Sequence, residues 1–139
     1  MIRVTPPTAQ VVTLQDMKEH LRVLHDDEDM LIQSLTDAAV SWMDGWDGVL
    51  GRCIMPQTWR ISPADLVAGF RLPDANDVVA EPDGSLTVTC AMPAEKLPSV
   101  QAAAKLLVGH WYQNREAVGE RLEVQPMAVR ALLEPLRNA

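Results

Sequence analysis

The stretch from Pro98 to Glu116, PSVQAAAKLLVGHWYQNRE, constrains the fold more than any other part of the chain. Val100, Ala103, Ala104, Leu107, Val108, Trp111 and Tyr112 recur at helical spacing, which aligns them on one face of an α-helix that another element must cover. Pro98 suits the first helical turn, where its missing N–H is not needed. Gly109 costs roughly 1 kcal/mol against alanine inside a helix, so it marks close approach by another backbone, a core neighbour or a second subunit. Trp111 and Tyr112 are expected to pack inward, with the Tyr112 hydroxyl reaching a polar partner. Gln113, Asn114, Arg115 and Glu116 fall at the helix end, where they cap it or bridge to an adjacent subunit.

Upstream, Thr13 with Asp16 behind it has the spacing of a capping box, and Leu14, Met17 and Leu21 make a short amphipathic helix that stops near Arg22. A second core helix follows the acids Asp26, Asp27, Glu28 and Asp29, which suit the positive end of a helix dipole, with Asp26 as the expected N-cap. Its apolar stripe is Leu31, Leu35, Ala38 and Trp42, flanked by Ile32, Ala39, Met43 and Trp46. Gly45, Gly48 and Gly51 end it. From about residue 54 to 91 the period changes: QTWRI, Phe70 to Leu72 and LTVTC alternate as strands do, with Pro63, Pro73 and EPDGS as turns between them. Pro126 then opens a last helix, to about residue 136, with Val129, Leu132, Leu133 and Leu136 on one side and Pro135 near its end. Residues 1–12, with Pro6 and Pro7 and no helical period, read as an extended arm, and 13–139 as one domain. The expected fold is mainly α: a small bundle of four helices, two long and two short, with a short β excursion between helices two and three.

A chain of 139 residues with a formal charge of −7 and only 12 Lys and Arg, dispersed along it, is not built to grip a phosphate backbone. No apolar run approaches the ~18 residues that a membrane span needs, and MIRVTPPTAQ lacks the apolar centre of a signal peptide. Without a sign of secretion, Cys53 and Cys90 are expected as free buried thiols, although both lie in strand-like stretches that proximity could bring together. The acids at 26–29 lack the alternation, central glycine and closing Glu of a calcium loop. His20 and His25 do not share a helical face as zinc ligands, and His110 is remote. No nucleophile elbow, phosphate-binding glycine loop or C-x-x-C is present, so no catalytic residue, metal or cofactor is assigned. A helix-turn-helix over Thr13 to Trp46 would present Asp, Glu, Gln and Thr outward, with nothing basic for DNA.

Four ordered blocks carry a resemblance: KEHLRVLHDDED at Lys18 to Asp29, GRCIMPQTW at Gly51 to Trp59, HWYQNREAV at His110 to Val118, and PMAVRALLEPLR at Pro126 to Arg137. Together they resemble the head–tail connector proteins (adaptor or head-completion proteins) of long-tailed bacteriophages and of phage-derived gene transfer agents. The β segment between Ile61 and Leu97 is shorter here than in many such proteins. The resemblance implies a structural protein made in the bacterial cytoplasm and carried into the particle at the head–tail junction. It implies a ring of about a dozen subunits, docked under the portal on one side, met by tail-completion or stopper proteins on the other, and traversed by DNA without specific binding.

On that reading Arg115, Glu116, Leu132, Leu133, Leu136 and Arg137 are expected at interfaces, the last four as a docking element for the portal. Asp37 and Asp44 are expected to face the lumen. The rival readings are a small acidic module that binds protein without forming a ring and, further off, an enzyme whose site assembles only in an oligomer.

Overall fold

The computed structural model describes residues 1–70, 72–114 and 127–137. In chain order its elements are strand β1 (Ile2–Thr5), helices α1 (Leu14–Leu21) and α2 (Asp29–Met43), strand β2 (Gln57–Ile61), helix α3 (Pro63–Val67), strands β3 (Ala75–Ala80) and β4 (Leu86–Cys90), and helices α4 (Leu97–Gln113) and α5 (Met127–Leu133). Single 3-10 turns precede α4 and follow α5.

The longest helix lies where the apolar face of residues 98–116 required it, with its proline in the first turn. Val100, Ala103, Ala104, Leu107, Val108 and Trp111 are buried along it, and α2, α5 and α1 cover them. Gly109 meets α1, whose His20 Nε2 lies 3.4 Å from the position a Cβ would take. Thr13 caps α1 by accepting from the Asp16 N–H at 3.1 Å, and Arg22 closes it in the left-handed region with φ 60°. α2 starts later than the acids suggest, because Asp26 is engaged elsewhere and Glu28 occupies the cap position with its carboxylate turned to Tyr112 rather than to the helix end. Its buried line runs Ile32, Leu35, Thr36, Ala39 and Met43, while Leu31 and Ala38, expected inside, are exposed.

The four-helix bundle with a short β excursion is corrected by the structure. Five α-helices among the described residues accompany a four-stranded antiparallel sheet of order β1-β2-β4-β3. Its fourth strand comes from the chain's first residues, where Ile2 pairs with Arg60 and Arg3 with Trp59. Such pairing is non-local and leaves little local signature in four residues followed by two prolines. Strand-like Phe70 to Leu72 is not strand at its two described ends; the strand is ANDVVA, which turns through EPDGS into β4 with the Glu81 N–H donating to Ser85 O at 2.9 Å. The sheet buries one face, with Gln57, Trp59, Ile61, Val88 and Cys90 inward and Thr58, Arg60 and Thr89 outward or partly covered. α3 was not visible as a periodic stripe because it is five residues long; Ser62 and Asp65 form a capping box that starts it.

Cys53 and Cys90 are joined as a disulfide rather than free, their Cα atoms 6.2 Å apart, within the span such a bond bridges. Both belong to a small second apolar cluster with Trp59 and Leu72, so the sheet and the loop after α2 bring them together.

Candidate interaction surfaces

Two buried polar hubs join the helices to the sheet. Asp44 ends α2 and is only 4% exposed. It accepts from the Ile54 N–H at 2.8 Å, from Gln57 Nε2 at 2.9 and 3.1 Å, and from Arg3 at 3.3 Å. Gln57 in turn accepts from Trp59 Nε1 at 2.8 Å, and the Arg3 guanidinium lies 5.0 Å from the Trp59 ring centroid. Gly45, at φ 86°, lets this cluster close, since a Cβ there would fall 2.9 Å from the Trp59 ring and 2.6 Å from Arg3. The second hub is Arg52, which pairs with Asp74 through two nitrogens and donates through Nη1 to the Leu136 carbonyl at 3.1 Å. It ties the C-terminal turn to the sheet's approach loop.

A third cluster uses the acids that precede α2. The buried Lys18 of α1 reaches Asp26 at 2.6 Å and Asp29 at 2.8 Å. Those contacts, Asp26 foremost, hold the Lys18 ammonium above its ordinary pKa, and Lys18 holds the Asp26 carboxyl below its own. The N-terminal ammonium of Met1, followed by the Ser62 hydroxyl, lowers Asp65 in the same way, and the Ser85 hydroxyl lowers Asp83. These are structural pairings; no group of three or more His, Cys, Asp or Glu that could hold a metal occurs among the described residues.

The residues expected at interfaces separate into different environments. Leu133 and Leu136 are buried with Val129 beneath α5 and pack in the main core, Leu132 is half-buried at its margin, and Arg137 is exposed, 3.5 Å from Glu134. A cleft of about 220 Å³ lies between Val49, the α5 side chains Arg130 and Leu133, and Glu134 and Arg137 just beyond the helix. Arg115 and Glu116 lie outside the described residues. Asp37 is exposed on α2, accepting from Gln33 at 2.9 Å, whereas Asp44 faces into the subunit. Tyr112 finds its polar partner in Glu28, at 2.7 Å, and Asn114 caps α4 through the His110 carbonyl at 2.8 Å.

Sequence reasoning missed the hubs of Asp44 and Arg52 and the open strands of the sheet. The one signal for the first was an acid placed immediately before Gly45, at the end of an apolar helix. Large apolar side chains are exposed singly at Leu24 and Met30 and on the two outer strands at Ile2, Val4, Val78 and Val79. No helix among the described residues is long and apolar enough to cross a membrane.

The sequence pattern of the family described as Phage gp6-like head-tail connector protein matches residues 11–137. No curated protein and no solved structure matches the chain. The matched span runs from the residues just before α1 to the turn after α5, and so takes in all five described helices and both hubs except Arg3. The chain belongs to the phage gp6-like head-tail connector proteins.

Proposed function

We propose that the protein is a structural adaptor subunit that forms a ring of about a dozen copies beneath the portal of a tailed phage or phage-like particle. The family match over residues 11–137 carries this reading. The ring joins the capsid to the tail-completion or stopper proteins on its far side, and DNA passes through it.

The charge supports a conduit. Affinity for duplex DNA rises with the number of phosphates that Lys and Arg neutralise, and a net −7 chain with dispersed basic residues keeps that number low. Asp37, exposed on α2, is assigned to the lumen, whereas Asp44 serves inside the subunit. Leu133 of α5 and Leu136 of the turn after it anchor the C-terminal segment, and half-buried Leu132 and exposed Arg137 are assigned to the portal contact.

The test is removal of the protein from a producing system, followed by electron microscopy. Heads and tails that accumulate unjoined are the expected result. Normally joined particles in its absence would overturn the proposal.

A further inference from the structure

Among the described residues the sheet ends in two open edges. Every residue of β1 and of β3 is exposed, and Ile2, Val4, Val78 and Val79 keep 69%, 55%, 52% and 49% of their surface. An unpaired edge is a template for another strand, and proteins that must stay apart guard it with lysine, proline, bulges or very short strands. β1 is short, shifts register between Arg3 and Thr5, and runs into Pro6 and Pro7. β3 has neither lysine nor proline, and after the register shift between Ala75 and Asp77 it runs regularly to Ala80.

The hydrogen-bond phase of β3 is fixed by its hairpin. Glu81 donates to Ser85 across the turn, so in the alternating antiparallel ladder Val79 and Asp77 also turn their backbone groups toward β4. Val78 and Ala80 therefore point their N–H and C=O groups to the open side. We propose that these groups pair with β1 of a second copy, so that the sheets of neighbouring subunits join edge to edge.

Three observations select that occupant. The only charge on β3 is Asp77, so β3 against β3 would bring two Asp77 side chains toward each other, whereas the only charge on β1, Arg3, is paired with Asp44 and sets no like charge against Asp77. Both edges carry exposed apolar side chains that cross-strand pairing would cover. The two edges are also different, so pairing one with the other leaves a free edge at each end of the pair and propagates, as a ring requires; pairing β3 with itself closes a dimer. β1 precedes the span that matches the family. The inference rests on the ring reading of the preceding subsection and specifies one of its interfaces.

Amide hydrogen exchange on the full-length protein, as monomer and as the assembled species isolated by native mass with or without portal, tests it. In the monomer the Val78 and Ala80 amides should exchange freely while Val79 is protected; on assembly both should slow by at least about tenfold, together with amides of β1. Val78→Pro removes only an outward donor, so it should keep the circular dichroism and melting of the parent and lose assembly. Ala80→Pro serves as the second variant if Val78→Pro does not fold. An assembled parent with unprotected Val78 and Ala80 amides, or a folded Val78→Pro that assembles like the parent, overturns the edge contact and leaves the ring standing. A dimer protected at β3 alone overturns it in favour of self-pairing. A parent that stays monomeric with portal present removes the ring and this contact with it.

Discussion

Asp44 shows how one carboxylate fixes the join between two layers. It receives hydrogen bonds from a backbone N–H and a glutamine amide, with an arginine nearby, and those partners come from two separate parts of the chain. Asp44→Ala leaves the buried Ile54 N–H without its acceptor and Gln57 Nε2 with only the Met55 carbonyl at 3.2 Å, and is expected to destabilise the fold by about 3 kcal/mol in urea unfolding; a loss below about 1 kcal/mol would show that water replaces it. Lys18 makes a prediction about pH. Asp26, Asp65 and Asp83 are held below their ordinary carboxylate range, so each contributes stability that is complete above about pH 4 and is lost as pH falls through its folded-state value. Lys18 has the opposite sign: its contribution is complete below about pH 10 and is lost as pH rises through its raised value. Lys18→Met should therefore lower the urea midpoint at pH 7, and the gap to the parent should shrink at acid pH as Asp26 takes up its proton. A gap that is the same at both pH values would contradict the pairing. Thr13 was legible in the sequence because a cap bonds within one turn, whereas Asp44 and Arg52 were not, because their partners lie as far away as residues 3 and 136.

At the scale of elements, helices were legible and sheet edges were not. The α4 face is written in its own spacing, and its six buried residues are among those that the spacing named. α2 was found, but its stripe was set one row off, since Leu31 and Ile32 are both apolar and only tertiary contacts decide which turns inward. β1 depends on a strand far along the chain and its alternation lasts only four residues, whereas β3 pairs locally with β4 but ANDVVA does not alternate. Two substitutions test the helix packing. Leu133, 2% exposed under α5, should cost about 2 to 5 kcal/mol when changed to alanine, with Arg137→Ala close to neutral; the reverse order would mean that α5 is held by its polar face. Gly109→Ala should raise stability by up to about 1 kcal/mol, because its Cβ would sit at ordinary contact distance from His20. A clear loss of stability there would mean that α1 lies closer to α4 than the 3.4 Å approach allows.

At the scale of the whole molecule, one subunit presents surfaces of different character: an exposed acid on α2, a cleft with two arginines beside α5, and a sheet with two unlike open edges. Unlike faces on one chain are what a heterologous assembly needs, because a ring closes only if the surface leaving one copy fits a different surface on the next. The acidic balance also makes a prediction about passage: Asp37→Lys, repeated around a ring, adds phosphate contacts and should slow DNA release in a salt-dependent manner without changing assembly. Unchanged release at low salt would remove Asp37 from the lumen. The central claim, that these subunits close into a ring at the portal, is tested most directly by the native mass of the purified protein over a concentration series, with portal absent and then present. A single large species of fixed stoichiometry in either condition is the predicted result, and a strict monomer in both would contradict it.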